Sequence, residues 1–144
     1  MIRVVNDPMT IAVRLRPVLL RLARELRREI HSLGVTGGQV SLLAAIQKSP
    51  GITASELAER ERVSAPGMSG QLRRLETAKL IARTRASDRR RIGLSMTADG
   101  DKVLKSVRMK RTAWLVARLE RLEPEERENI EGSIEALEKL LAGE

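Results

Sequence analysis

The chain has 144 residues and a formal net charge of +8; 42% of it is hydrophobic, with no Cys, Phe or Tyr, one Trp and one His. That is about one domain with an almost wholly aliphatic core, and the missing cysteine excludes disulfides, thiolate chemistry and a thiol redox switch. His31 alone leaves almost no zinc-site options, and the absence of an apolar run of secretory or membrane-spanning length predicts a soluble, cytoplasmic protein.

Aliphatic residues with few Gly and Pro clusters favour helices packed on helices. Residues 1–9 read as a loose start. Leu15, Leu19, Leu22, Leu26 and Ile30 then form the stripe of a long amphipathic helix, which Gly34 is expected to close after Leu33. Pro17 falls inside that stripe and lies either in the first turn or at a kink. Thr36 can cap a second helix through Val40, Leu43 and Ile46, ending before Pro50-Gly51. Thr53 followed by Glu56 has capping-box spacing and opens a short third helix with Leu57 and Ala58 inward.

Glu61-Arg62-Val63 then makes a tight turn into a fourth helix, with Ser64 as its N-cap and Pro66 in the first turn. Two short helices joined this way form a helix-turn-helix. Leu72, Leu75 and Leu80 supply an apolar underside, while Ser64, Ala65, Gly67, Ser69, Gly70, Gln71 and Arg73 make a small or polar outer face. Residues 80–85 and 91–96 alternate as two strands around the turn Ser87-Asp88-Arg89-Arg90. Thr97-Ala98-Asp99-Gly100 opens a long helix through Val103, Leu104, Val107 and Trp114 to Leu119. A last helix begins at Glu123-Pro124, with Ile130, Ile134, Leu137 and Leu141 as its stripe.

The fold class is therefore mainly α with a small two- to three-stranded β wing: a winged helix-turn-helix over 35–100, plus a helical region over 8–34 and 101–144. The first and last helices lack neighbours to cover their apolar faces, which predicts pairing with a second copy of the chain.

Charge is placed rather than spread. Residues 73–91 carry eight cations (Arg73, Arg74, Lys79, Arg83, Arg85, Arg89, Arg90, Arg91) and two anions, whereas residues 120–144 carry nine glutamates and three cations. A positive field beside a helix with a small polar face suits phosphate neutralisation on double-stranded DNA. Ser64, Ser69 and Gln71 are candidates for phosphate or base-edge hydrogen bonds. Ala65, Pro66, Gly67 and Met68 allow close approach or meet a thymine methyl, and Arg73 reaches a guanine edge or a phosphate. Ser64 can equally be spent on the cap. Arg89, Arg90 and Arg91 stand at the wing, where a guanidinium can enter a narrow minor groove.

Two other classes compete. A sequence-tolerant architectural protein would also be basic, and the small polar face favours a sequence-specific regulator over it. An enzyme finds little support: one His, no Gly-rich phosphate loop, no G-x-S-x-G turn and no metal-ligand cluster, so no cofactor or metal is expected. Trp114 reads as core and His31 as a capping or surface group.

The order of elements and several strings resemble the MarR family of winged helix-turn-helix regulators. These are Leu33 with Thr36-Gly37-Gly38-Gln39, Ser55-Glu56-Leu57-Ala58, and Arg74-Leu75-Glu76 with Leu80-Ile81-Ala82-Arg83. The strongest is Asp88-Arg89-Arg90 followed by Leu94-Ser95-Met96-Thr97-Ala98-Asp99-Gly100. The resemblance implies an obligate homodimer on a near-palindromic operator, usually a repressor, which in many members releases DNA when a small lipophilic or phenolic ligand binds. It also implies that Arg90 is the residue inserted by the wing and that Asp88 pairs with Arg74. Lys79 departs from the pattern, standing where the family commonly has glycine, and the missing cysteine excludes the family's thiol-oxidation branch.

Overall fold

A computed structural model describes residues 6–85 and 91–143. Helix α1 spans Pro8–Arg28, α2 Gly37–Lys48, α3 Ala54–Glu61 and α4 Ala65–Thr77; strands β1 (Ile81–Arg85) and β2 (Ile92–Met96) follow, then α5 (Ala98–Leu119) and α6 (Pro124–Lys139).

Side-chain caps set most of the starts. Thr36 and Gln39 form a reciprocal capping box at α2 (3.1 and 2.9 Å), Thr53 accepts from the Glu56 amide at α3, and Thr97 accepts from the Gly100 amide at α5. Asp7 caps α1. The hydroxyl of Thr10, and then its backbone N–H, donate to the Asp7 carboxylate and hold its pKa below the usual value.

Helix α1 differs from its sequence reading at both ends. It starts at Pro8, inside the segment expected to be loose, and stops at Arg28. Gly34, in a left-handed conformation (φ 74°), instead closes a separate 3-10 turn over His31–Leu33. Ile30, taken as the end of the stripe, is fully buried after the helix has ended, so burial of that side chain overrides continuation of the periodic pattern. Pro17 lies well inside the helix, where it cannot donate to the Val13 carbonyl.

The sheet is one antiparallel pair in register from Ile81↔Met96 to Arg85↔Ile92, and Ile52 adds an isolated bridge to Leu94 as the stub of a third strand. One core cluster fills the space between α2, α3, α4 and the sheet. Leu43, Ile46, Leu57, Leu72, Leu75 and Leu94 lie at its centre, and Leu104 and Val107 of α5 close it. No charged or polar side chain is buried among the described residues. Trp114 is half-buried and lies outside this core, at the edge of a cleft between α1 and α5, with the Arg118 guanidinium 4.9 Å from its ring centroid. His31 is exposed.

The exit from α4 is built on a left-handed residue. The Leu80 amide donates to the Leu75 carbonyl (3.0 Å) and the Lys79 amide to that of Glu76 (2.9 Å), a Schellman closure that holds Lys79 at φ 62°. A side chain at that φ is strained by about 1 kcal/mol. Lys79→Gly is therefore expected to stabilise the protein by about 1 kcal/mol in urea unfolding; a loss of stability would contradict the strain.

Candidate nucleic-acid interface

Helix α4 lays Met68, Leu72 and Leu75 on the core, a spacing that occupies one side of the helix. Ala65, Pro66, Gly67, Ser69, Gly70, Arg73, Arg74 and Thr77 are exposed, and Gln71 is half-buried near the start of α2. Ser64 is exposed and caps the helix through the Gly67 amide (3.2 Å), leaving lone-pair capacity on the same hydroxyl for an outside donor.

Met68 corrects the sequence reading. Its side chain is 1% exposed and belongs to the core cluster, so it cannot touch a thymine methyl. With neighbours at Leu72 and Leu75, position 68 completes the i, i+4, i+7 row that α4 must bury. The small outer face is thus made by Ala65, Pro66, Gly67, Ser69 and Gly70, none of which projects more than a short side chain or ring, so the helix backbone can come close to a partner surface.

Cations rim this face. Arg73 and Arg74 lie on α4, Lys79 at its exit, Arg83 and Arg85 on β1 and Arg91 just before β2, all exposed. Asp88, Arg89 and Arg90, and with them the Asp88–Arg74 pairing, lie outside the described residues.

Two ion pairs were not foreseen in the sequence. The Arg83 Nε donates to the Glu76 Oε1 at 2.6 Å, tying β1 to α4, and Arg91 pairs with Glu56, tying β2 to α3. Both pairs are partly exposed, so they contribute little to stability; their effect is to orient the base of the wing against the two helices. Arg73, Lys79 and Arg85 make no salt bridge among the described residues, which leaves their charge available to a polyanion. Residue spacing gives no hint of the Glu56–Arg91 pair, because the two positions are 35 residues apart and meet only in the folded chain.

A second set of contacts joins this unit to α5. The Gln47 side-chain amide donates to Asp101 (3.2 Å) and accepts from Arg108 (3.1 Å), while Lys110 donates to the Ser32 hydroxyl (3.0 Å). The helix-turn-helix is thus held on the first half of α5, and the second half of α5 runs on beyond the core.

The sequence model of the MarR family matches residues 33–92. The transcriptional repressor MdtR of Bacillus subtilis is 34% identical over 117 residues, spanning 81% of this chain and 76% of MdtR. The chain belongs to the MarR family.

As a MarR-family protein it is a DNA-binding transcriptional regulator and not an enzyme. A crystal structure from Pseudomonas aeruginosa PA01 matches 98% of the chain and all of its own length at a TM-score of 0.84 and 31% identity. The Staphylococcus aureus MepR–DNA complex shares the fold at a TM-score of 0.61 and 20% identity, covering 88% of this chain and 93% of that one. No helix among the described residues is long and apolar enough to cross a membrane.

Proposed function

We propose that this protein is a repressor that acts as a homodimer on a near-palindromic operator, seating α4 in the major groove and its wing in the adjacent minor groove. The observation that carries the reading is α4 itself: a core-anchored helix with a short-side-chain outer face bordered by cations, of which Arg73, Arg74, Lys79 and Arg85 make no salt bridge among the described residues. In this reading Ser64, Ser69, Gln71 and Arg73 contact bases or phosphates, Ala65, Pro66 and Gly67 permit close approach, and Arg74, Arg89, Arg90 and Arg91 meet the backbone or minor groove, with Asp88 orienting Arg74. Residues 35–100 read DNA; residues 8–34 and 101–144 pair the two copies.

Dimerisation is supported by uncovered apolar surface. Leu19 and Leu22 of α1 are 43% and 40% exposed, and Ile130 and Ile134 of α6 are 44% and 50% exposed. Neither α1 nor α6 packs extensively on any other element of its own chain. A two-fold dimer would cover these faces and offer two α4 helices to successive major grooves about 34 Å apart. Repression is supported by MdtR, itself named a repressor. Release by a small lipophilic or phenolic ligand has room in the cleft of about 340 Å³ lined by Val18, Arg21, Leu22, Glu25, Trp114 and Arg118.

Selection of bound genomic fragments followed by footprinting tests the reading. A regulator of this kind should prefer its operator over bulk DNA by roughly 10³-fold or more. A footprint without two-fold symmetry, or affinity indifferent to sequence, would replace the operator-bound repressor with a DNA-coating protein. Arg90→Ala is expected to weaken operator binding and to lower the slope of log affinity against log salt by about one; an unchanged slope would remove Arg90 from the interface.

A further inference from the structure

Helix α4 turns by about 100° per residue, so its core side chains Met68, Leu72 and Leu75 fix which positions point furthest outward. Opposite them lie Pro66, Gly70, Arg73 and Thr77, all exposed. Pro66 and Gly70 offer a base no hydrogen bond. Thr77, the last residue of the helix, donates its hydroxyl to the Arg73 carbonyl at 2.8 Å. To the sides, the hydroxyls of Ser64 and Ser69 can both donate and accept, which suits any base. Gln71 is half-buried and turned towards α2, its Oε1 4.0 Å from where a Gly38 Cβ would be. Arg73 is the one long polar side chain on the outward line of α4.

The surroundings of Arg73 leave it free and aim it. A helical side chain leans towards the start of its helix, over the residues three and four positions earlier. For Arg73 these are Gly70 and Ser69, and nothing stands within 4 Å of where a Gly70 Cβ would be. The guanidinium therefore has an open path towards the first half of α4, the half that a recognition helix turns to base edges. Glu76, the sole carboxylate of α4, is held by the Arg83 Nε at 2.6 Å and does not draw Arg73 back. Arg73 makes no salt bridge among the described residues. Arg74 points about 100° round the helix from it and Lys79 lies beyond the helix end, positions that suit phosphates on the groove walls rather than bases on its floor.

We propose that Arg73 determines the sequence specificity of the operator half-site, donating through its guanidinium to O6 and N7 of one guanine in the major groove. Guanine alone presents two acceptors side by side there, matching the paired N–H groups of the guanidinium. Base pairs beneath Pro66 and Gly70 carry no hydrogen-bond requirement. The inference rests on the reading that α4 lies in the major groove, and it specifies what the helix reads.

The operator recovered by selection is changed one base pair at a time and titrated, by fluorescence anisotropy, with full-length natural, Arg73→Ala and Arg73→Gln proteins. With the natural protein, replacing one G·C pair in the half-site should weaken binding about 10- to 100-fold. In Arg73→Ala that penalty should vanish while penalties at other positions persist, and Arg73→Gln should prefer adenine at the same place. Circular dichroism checks that both variants are folded. An arm without any substitution uses the natural protein on operators in which each guanine in turn is 7-deazaguanine, which lacks N7; one guanine per half-site should respond with a several-fold loss. Indifference to 7-deazaguanine throughout, or guanine penalties that persist in Arg73→Ala, would overturn the inference. So would a uniform weakening of Arg73→Ala on every sequence with the salt slope lowered by about one, the mark of a phosphate contact. Each of these leaves the regulator reading standing. A natural protein without preference for any sequence would overturn that reading and this one together.

Discussion

Met68→Lys will unfold the protein rather than tighten its hold on DNA. A lysine on the groove-facing side of α4 would add a cation near phosphate and raise both affinity and the salt slope. Met68 instead lies at 1% exposure among Leu57, Leu72 and Leu75, where the described residues offer no buried carboxylate to receive an ammonium group. Burying that charge, or distorting α4 to let it reach water, costs several kcal/mol, against a total stability on the order of 5–15 kcal/mol for a domain. Urea unfolding should show loss of most or all of the cooperative transition, with operator binding lost in parallel. Ser69→Lys, one residue along and exposed, serves as the control and should stay folded. A stable Met68→Lys protein with stronger DNA binding would return Met68 to the outer face.

Gly100→Ala should be the most damaging one-carbon change. Gly100 is buried in the first turn of α5, and a Cβ there would fall onto the Leu80 carbonyl oxygen, 3.2 Å from its carbon and 3.3 Å from the Met96 methyl. The obstacle is backbone, and it is pinned. The same carbonyl accepts the Thr97 amide at 3.1 Å, and the neighbouring Lys79 carbonyl accepts the Thr97 hydroxyl at 2.7 Å. The methyl can be accommodated only if α5 and the α4–β1 junction move apart, at a cost of about 2–3 kcal/mol. Because that junction also carries the end of α4, operator affinity should fall even where the variant remains folded. Unfolding free energy and operator affinity measured together would check this; an unchanged midpoint would mean that the joint yields easily.

Much of the architecture was written locally. Thr36 with Gln39, Thr53, Ser64 and Thr97 announce their helices because a capping hydroxyl acts within three residues of itself. The strands were legible as alternation on either side of an arginine-rich turn, and the register Ile81↔Met96 follows from that pairing. The misreadings arose where a distant partner decides. The stripe from Leu15 to Ile30 fits one long helix, yet α1 stops at Arg28 so that Ile30 can enter the core beyond it. Pro17 did not end that helix, and nothing within a few residues told its two readings apart. At Met68, the sequence offered a polarizable side chain among small residues, and only the row shared with Leu72 and Leu75 revealed which way it pointed. The Arg83–Glu76 and Arg91–Glu56 pairs could not be read at all, because each forms between elements that the sheet brings together.

The joint at Thr97 has a mechanical consequence. Helix α5 is 22 residues long, about 33 Å, so a tilt of about 5° about its first turn swings its far end by about 3 Å. Only its opening stretch, as far as Val107, is buried against the reading head, and the remainder is a projecting arm. The angle of this one short seat, built on Gly100 and Thr97, therefore sets where the arm points relative to the head.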